Sequence, residues 1–538
     1  MKRTALAVLV CLFALPFGLL AQTRNELRFY LHSEPRTFDP LLVTDESSDT
    51  IAYLTTGRLV HVNRATQALE PELATAWKVS RDGRVIMFKL RDRVFYSDGS
   101  RFDAQDVAAT IKRMMDPNTH SPFADIFGAG TLTAKVVSPL EVKIISSVPV
   151  ANFDRIFDQI AIVSSRSPLK ERAALGPFFI ADYKPGSFVY LKRNPNYWKK
   201  DDAGRQLPYL DGIRLEIQSN RDIEALHFLR GEIDLINSLD SEHYDQIAQR
   251  APGSVHDAGP SLDSEQMWFN QVANAPIPPY KRTWFRSTNF RRAIAFAINK
   301  QDLARVAFGS YAQPAVGPIS PANKFWFNRN LPPAKYDVAA ALKLLRQDRF
   351  RLEGGTLRDA DGNSVEFSII TNAGNKYRER MATMIQQDLS KLGIKVNVVT
   401  LDFPSLIERI TEKFNYEAAL LGNINVGLDP NEQMNMWLSS GESHQWNPRE
   451  KSPETAWEAE IDRLMKAQSI STNPVHCKKY FDRVQEIVVQ QEPFIYLVNR
   501  DALSAVSPSV IGAHPVVLRP ETFWNIEHLR LSANAREK

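Results

Sequence analysis

The side chains best able to do chemistry are the ten histidines, at positions 32, 61, 120, 227, 243, 256, 444, 476, 514 and 528. No two stand within five residues of one another. Neither the H-E-x-x-H spacing of a helical zinc protease nor the H-x₃₋₅-H arm of a zinc finger exists. The G-x-S-x-G turn of a hydrolase is missing, as is a phosphate-cradling Walker loop; Gly128-Ala129-Gly130 is only a short turn. Of the two cysteines, Cys477 shares a helical stripe with Phe481, Val484 and Val488, which reads as a buried inert thiol. Carboxylates are plentiful, but spacing alone pairs none of them for acid–base work. None of these residue patterns predicts catalysis or a resident metal or cofactor.

A net charge of +4 over 538 residues gives no reason to expect a polyanionic partner, so nucleic acid is set aside. That length exceeds what one core serves, and two or three domains are expected. Residues 1–21 read as a cleaved signal peptide. Lys2 and Arg3 form its basic start, an apolar stretch follows, Pro16-Phe17-Gly18 breaks it, and Ala21 precedes a cut before Gln22. The rival reading is a retained anchor, for which the apolar run lies at the short end of the ~17–25 residues that span a bilayer. Cys11 follows Val8-Leu9-Val10 rather than a small residue, which argues against a lipid anchor. The expectation is a soluble periplasmic monomer whose single mature cysteine forms no internal disulfide.

Periodicity supplies the elements. Residues 84–90, entered through Asp82-Gly83, form a mostly apolar run that predicts a strand. After the Asp98-Gly99 turn, Asp103 stands where an N-cap would, with Asp106 in the first turn. Ala104, Val107, Ala108, Ile111 and Met115 recur at helical spacing until Asp116-Pro117. Leu27, Phe29 and Leu31 alternate as in a half-buried strand. A hairpin is expected at 135–147, two strands around Lys184-Pro185-Gly186, and a strand at 266–271. Helices fit 338–347, 376–392, 455–468 and 475–491, with Gly393 at a C′ position leading into a strand at 395–401.

Several of these stretches carry longer signatures in order. W-x-V-S-x-D-G stands at 77–83, F-x-L-R-x-x-V-x-Y-S-D-G at 88–99 and F-x-A-x-D-V-x-x-T at 102–110. G-P-F at 176–178, Y-x-P-G at 183–186, R-N-P-x-Y-W at 193–198, G-E-I-D at 231–234 and N-F-R-R-A-I-A-F-A-I-N-K at 289–300 follow. With F-D-P at 38–40, the chain resembles family 5 of the bacterial extracellular solute-binding proteins, the oligopeptide- and dipeptide-binding proteins of ABC importers. The resemblance implies an α/β two-lobe periplasmic binding protein fold (type II) with an additional inserted α/β domain. Carried over, lobe I comprises 22–56, 176–272 and 499–538, the inserted domain 57–175, and lobe II 273–498. Residues 50–61 fit the family's next helix. The implied partners are a small peptide or other small solute and the importer's permease subunits in the inner membrane.

The same resemblance implies a ligand site between the lobes. Positions matching family contacts are Phe123, Asn237, Gln266, Trp268 and Phe403, and if Gln266 faces the cleft then Trp268 does too. The family's amine-binding aspartate stands three residues before a D-P pair; here that pair is Asp429-Pro430 and the matching residue is Val426, which cannot accept a hydrogen bond. Asn423, Asn425, Asp429 and Asn431 offer polar groups nearby. A peptide held through Asp429 or Glu46, a neutral solute such as a sugar, and a sensor or chaperone role all stay open.

Overall fold

The computed structural model describes residues 25–127, 130–333, 335–423 and 427–532. The signal-peptide reading of 1–21, together with Asn425 and Val426, lies outside them. The alternating Glu26–Leu31 strand pairs in parallel with Gly212–Ile217, which continues antiparallel into Phe188–Arg193 and Phe178–Lys184. Leu27, Phe29, Val189, Leu191, Ile213 and Leu215 fill the buried face of this sheet, and Phe523, Ile526 and Leu529 from near the C-terminus close it.

A second four-stranded sheet runs Ala74–Val79, Val85–Leu90, Glu141–Ser146 and Leu132–Ser138, all antiparallel. The Ala104–Met114 helix lays Val107 and Ile111 against its Ile86, Phe88, Val142 and Ile144. Asp103 caps that helix by accepting from Gln105 N at 2.8 Å. Asp106 does more than add charge. Fully buried, it accepts from Asp103 N at 3.0 Å, Ser165 N at 2.8 Å, Ser165 Oγ at 2.7 Å and Arg166 Nη2 at 3.3 Å. It thus ties the helix start to the distant segment of Ser165 and Arg166.

The largest sheet orders Leu235–Ile236, Phe494–Val506, Val255–Phe269, Ala418–Asn423, Glu366–Asn372 and Lys395–Leu401, with Ala312–Pro314 paired beside Phe494–Val506. Two-residue periodicity puts Met267 and Phe269 into one core with Phe290, Phe367 and Ile385. Trp268 falls into the other, with Trp437, Trp446, Phe481 and Phe494. Val255–Phe269 is fifteen residues long, whereas the sequence predicts a strand only from 266. Its first half, with Gly259 and Pro260, holds few apolar residues, and its pairing to Phe494–Val506 shifts register between Asp257 and Pro260 and again before Ser264. The stretch at 50–61 is also not one helix. The helix is Glu46–Thr55, capped by Asp45, and short strands Gly57–Arg58 and Val60–Val62 follow.

Replacing Asp106 by alanine strands three donors, two of them backbone N–H groups, while Arg166 Nη2 keeps Arg101 O at 2.8 Å. Urea denaturation is expected to show a loss of about 3 kcal/mol, against about 1–2 kcal/mol for Asp103→Ala, which removes a cap and a partly exposed ion pair with Arg166. Equal costs for the two variants would contradict the role assigned to Asp106.

Candidate functional site

Between the three packed regions lies a cavity of about 680 Å³, within the ~300–1,000 Å³ common for small-molecule sites. Its floor is the irregular middle of the two longest strands: Ser261, Leu262 and Asp263 on one, Arg500 to Leu503 on the other. One wall is the start of the Glu46–Thr55 helix, with Asp45, Glu46 and Asp49. Phe123, Asn152, Arg155 and Asp158 come from the region of the second sheet, and Phe308, Tyr311, Tyr377 and residues 427–432 from the side of the largest one.

Hydrogen bonds close the cavity over. Asn152 Nδ2 donates to Asp429 Oδ2 at 2.6 Å, Ala151 N to Ser469 O at 3.0 Å and Thr472 Oγ1 to Arg81 O at 3.1 Å. Gln67 Nε2 donates to Ala322 O at 2.7 Å. Asp429 N-caps the Pro430–Gln433 turn of 3-10 helix and receives Asn431 N at 2.9 Å, while Glu432 Oε1 receives Asp429 N at 3.3 Å.

The lining is strongly acidic, ten carboxylates against four arginines. Some are matched: Arg64 Nη1 lies 3.0 Å from Asp158, and Arg500 and Arg519 lie 3.4 and 3.5 Å from Asp263. Burial alone would raise the Asp158 carboxyl, but Arg64, His61 and Arg58 outweigh it and hold it below its usual range. Others are poorly compensated. Asp45 Oδ2 and Asp501 Oδ1 are buried without a hydrogen-bond partner. Burial, with Asp257 nearby, pushes Asp501 up to about 6. Burial and the neighbouring Asp429 push Glu432 up to about 7. Glu432 keeps accessible surface, but that surface opens onto the chamber, where surrounding protein replaces bulk water. Such a chamber favours a cationic group. Its aromatic side, where Phe308 and Tyr377 stack at 5.2 Å, suits an apolar side chain.

Of the residues expected at the site, Phe123 and Asp429 line the cavity, as does Glu46. Asn237 faces a separate small crevice, its Oδ1 accepting from Thr522 N and Oγ1 at 3.1 and 2.7 Å. Gln266 is 2% exposed, and Trp268 is wholly buried, its Nε1 donating to Tyr416 OH at 3.1 Å. Both face the core because the strand's alternation points them under the sheet. Asn423 is half-buried at the end of its strand, paired opposite Ser264. Phe403 is 55% exposed at the first position of the Phe403–Glu408 helix. Apart from Asp429 and Glu46, the acidic residues of the lining escaped sequence reading. Their faint signals are the acidic cluster at 45–49 and the Asn499-Arg500-Asp501 break inside an otherwise apolar strand.

A carboxyl raised in the fold binds its proton more tightly than in the unfolded chain, whose value is 4.5 for Glu432. Its contribution to stability is therefore full at low pH, declines as pH rises from about 4.5 and levels off above about 7. Glu432→Gln keeps the acceptor and abolishes the titration. Melting temperatures between pH 5 and 8 are expected to show the variant gaining on the wild type as pH rises. Parallel curves would contradict the raised value.

Residues 68–445 match the sequence profile of the bacterial extracellular solute-binding proteins, family 5 middle region. The probable ABC transporter-binding protein of Deinococcus radiodurans is 27% identical over 441 residues, 76% of this chain and 74% of that one. The glutathione-binding protein GsiB of Salmonella paratyphi A is 24% identical over 489 residues, 88% and 89% of the two chains. In three dimensions, the substrate-binding protein CtaP of Listeria monocytogenes superposes with a TM-score of 0.79 at 19% identity, covering 95% of this chain and all of its own. The architecture is thus the two-lobe, type II periplasmic binding protein fold with an added domain, and no helix among the described residues is long and apolar enough to cross a membrane. With its profile match, its fold and a chamber between its packed regions, the chain belongs to family 5 of the bacterial extracellular solute-binding proteins.

Proposed function

We propose that this protein captures a peptide or peptide-like solute carrying a free ammonium group and delivers it to the permease subunits of an ABC importer. The observation that carries the reading is the acid excess around the cavity, ten carboxylates against four arginines, with Asp45 and Asp501 under-compensated. The glutathione-binding relative is in keeping with it. Residues 22–56, 176–272 and 499–538 form lobe I, 57–175 the inserted domain and 273–498 lobe II. The irregular crossing of the two long strands acts as hinge, and closure follows from the ligand's preference for the shut form. Residues 1–21 direct export and are cleaved, leaving a monomer in the periplasm. No catalytic step is needed. A neutral solute would leave the chamber's charge unmatched, so the sugar reading is the weaker one.

The test is isothermal titration with glutathione and a panel of di- to pentapeptides, each with a free or an acetylated amino terminus. A charge-assisted contact is worth about 1.5–3 kcal/mol, so acetylation is expected to weaken binding roughly ten- to a hundredfold. Asp45→Asn combined with Asp501→Asn is expected to remove most of that difference. Equal affinity for free and acetylated peptides, or no binding by any of them, would overturn the proposal.

A further inference from the structure

Outside the cavity lining, the loop joining the Met434–Trp437 and Ala456–Ile470 helices and the first turn of the second helix bring together three side chains that solute capture does not use. His444, Glu450 and Glu458 are 0%, 8% and 3% exposed, and one ligand atom from each lies within 4.8 Å of the others. None of the three lines the cavity.

The hydrogen bonding fixes the imidazole's tautomer. His444 Nδ1 is 2.9 Å from Met436 O. A carbonyl only accepts, so Nδ1 carries the proton and a neutral ring offers its lone pair at Nε2. Nε2 is buried without a hydrogen-bond partner and sits 3.7 Å from Glu450 Oε1 and 3.7 Å from Glu458 Oε1. Those separations are too long for hydrogen bonds. Two carboxyl groups and an imidazole lone pair therefore converge, and no hydrogen bond joins His444 Nε2 to either carboxyl. Such an arrangement repels itself until a cation or a proton enters.

The surroundings hold the three groups in aim. Glu450 receives Asn447 Nδ2 on Oε1 and Glu454 N on Oε2, both at 2.8 Å. Glu458 receives Trp446 Nε1 on Oε1 at 3.0 Å and Thr455 Oγ1 on Oε2 at 2.6 Å. Orientation of each ligating group by an outer hydrogen bond is how metal sites are built. Ligands about 2.1 Å from a shared zinc ion stand roughly 3.4 Å apart at the tetrahedral angle; the two nitrogen–oxygen separations of 3.7 Å are close to that, and all three atoms lie within 4.8 Å of one another, so side-chain adjustment draws them onto one ion.

We propose that His444, Glu450 and Glu458 bind one divalent transition-metal ion, zinc fitting their nitrogen and oxygen donors, with solvent completing its shell. The ion neutralises both buried carboxylates. It also fastens a loop that holds the sheet from outside, through Trp446 O to Gln271 N at 2.8 Å and Gln445 O to Tyr416 OH at 3.0 Å. The site is structural and independent of the solute.

Full-length protein stripped with a chelator and dialysed is titrated with zinc against a competing indicator. One equivalent per chain is expected, with a higher melting temperature in its presence. Glu450→Gln, Glu458→Gln and His444→Gln are each expected to weaken zinc binding at least tenfold, while His514→Gln leaves it unchanged. Circular dichroism selects the variants that remain folded. Should His444→Gln unfold, cobalt substitution of the wild type supplies a second reading, a visible spectrum of tetrahedral nitrogen–oxygen coordination. Uptake of no zinc by stripped wild type, or equal uptake by the folded Glu450→Gln and Glu458→Gln variants, would overturn the site.

Discussion

Two antiparallel strands, Val255–Phe269 and Phe494–Val506, are the constraint on which the rest depends. Near one end, Val255 pairs with Ala505 beside the core of Tyr30, Phe228 and Ile236; near the other, Trp268 pairs with Phe494 among Trp446 and Phe481. The two cores are thus joined by paired backbone. Between them the ladder loses its register around Pro260, and there the backbone can bend without tearing regular hydrogen bonds. That weak point is also the cavity floor. Under the proposed function, a solute held against Asp263 and Asp501 would bear on both halves at once.

The chamber accepts electrostatic cost where a stability-driven core would not. Carboxylates gathered in a partly desolvated space raise one another's proton affinity, as at Glu432, and leave oxygens such as Asp501 Oδ1 unmatched. Most of the basic counterweight is committed: Arg64 to Asp158, Arg500 and Arg519 to Asp263. Under the proposed function, the solute's ammonium group supplies what the protein withholds, without any single residue acting as a clamp.

Local elements were legible because each writes its signal in a few adjacent residues. The 395–401 strand, the helix stopped before Gly393 with its φ of +74°, and the Asp103 cap all follow from turn chemistry and period. The signature stretch at 77–110 named the family through the added domain, yet it forms that domain's core and places no residue in the cavity lining. The site was harder to read. Its acidic residues are separated by hundreds of positions and converge only through topology. Trp268 shows the opposite error: a contact transferred by resemblance lost to strand alternation, which buries the indole beneath the sheet. Asp106 looked like a favourable charge at a helix start, and only the fold reveals the distant Ser165 and Arg166 that it holds.

The most direct measurement of the central claim is native mass spectrometry of the protein purified from its own organism, compared with the same sample after denaturation. A one-to-one adduct of a small, amine-bearing solute is expected, released on unfolding and sized for about 680 Å³. A consistently retained solute that is anionic and has no amino group would contradict an acidic chamber built to hold a cation.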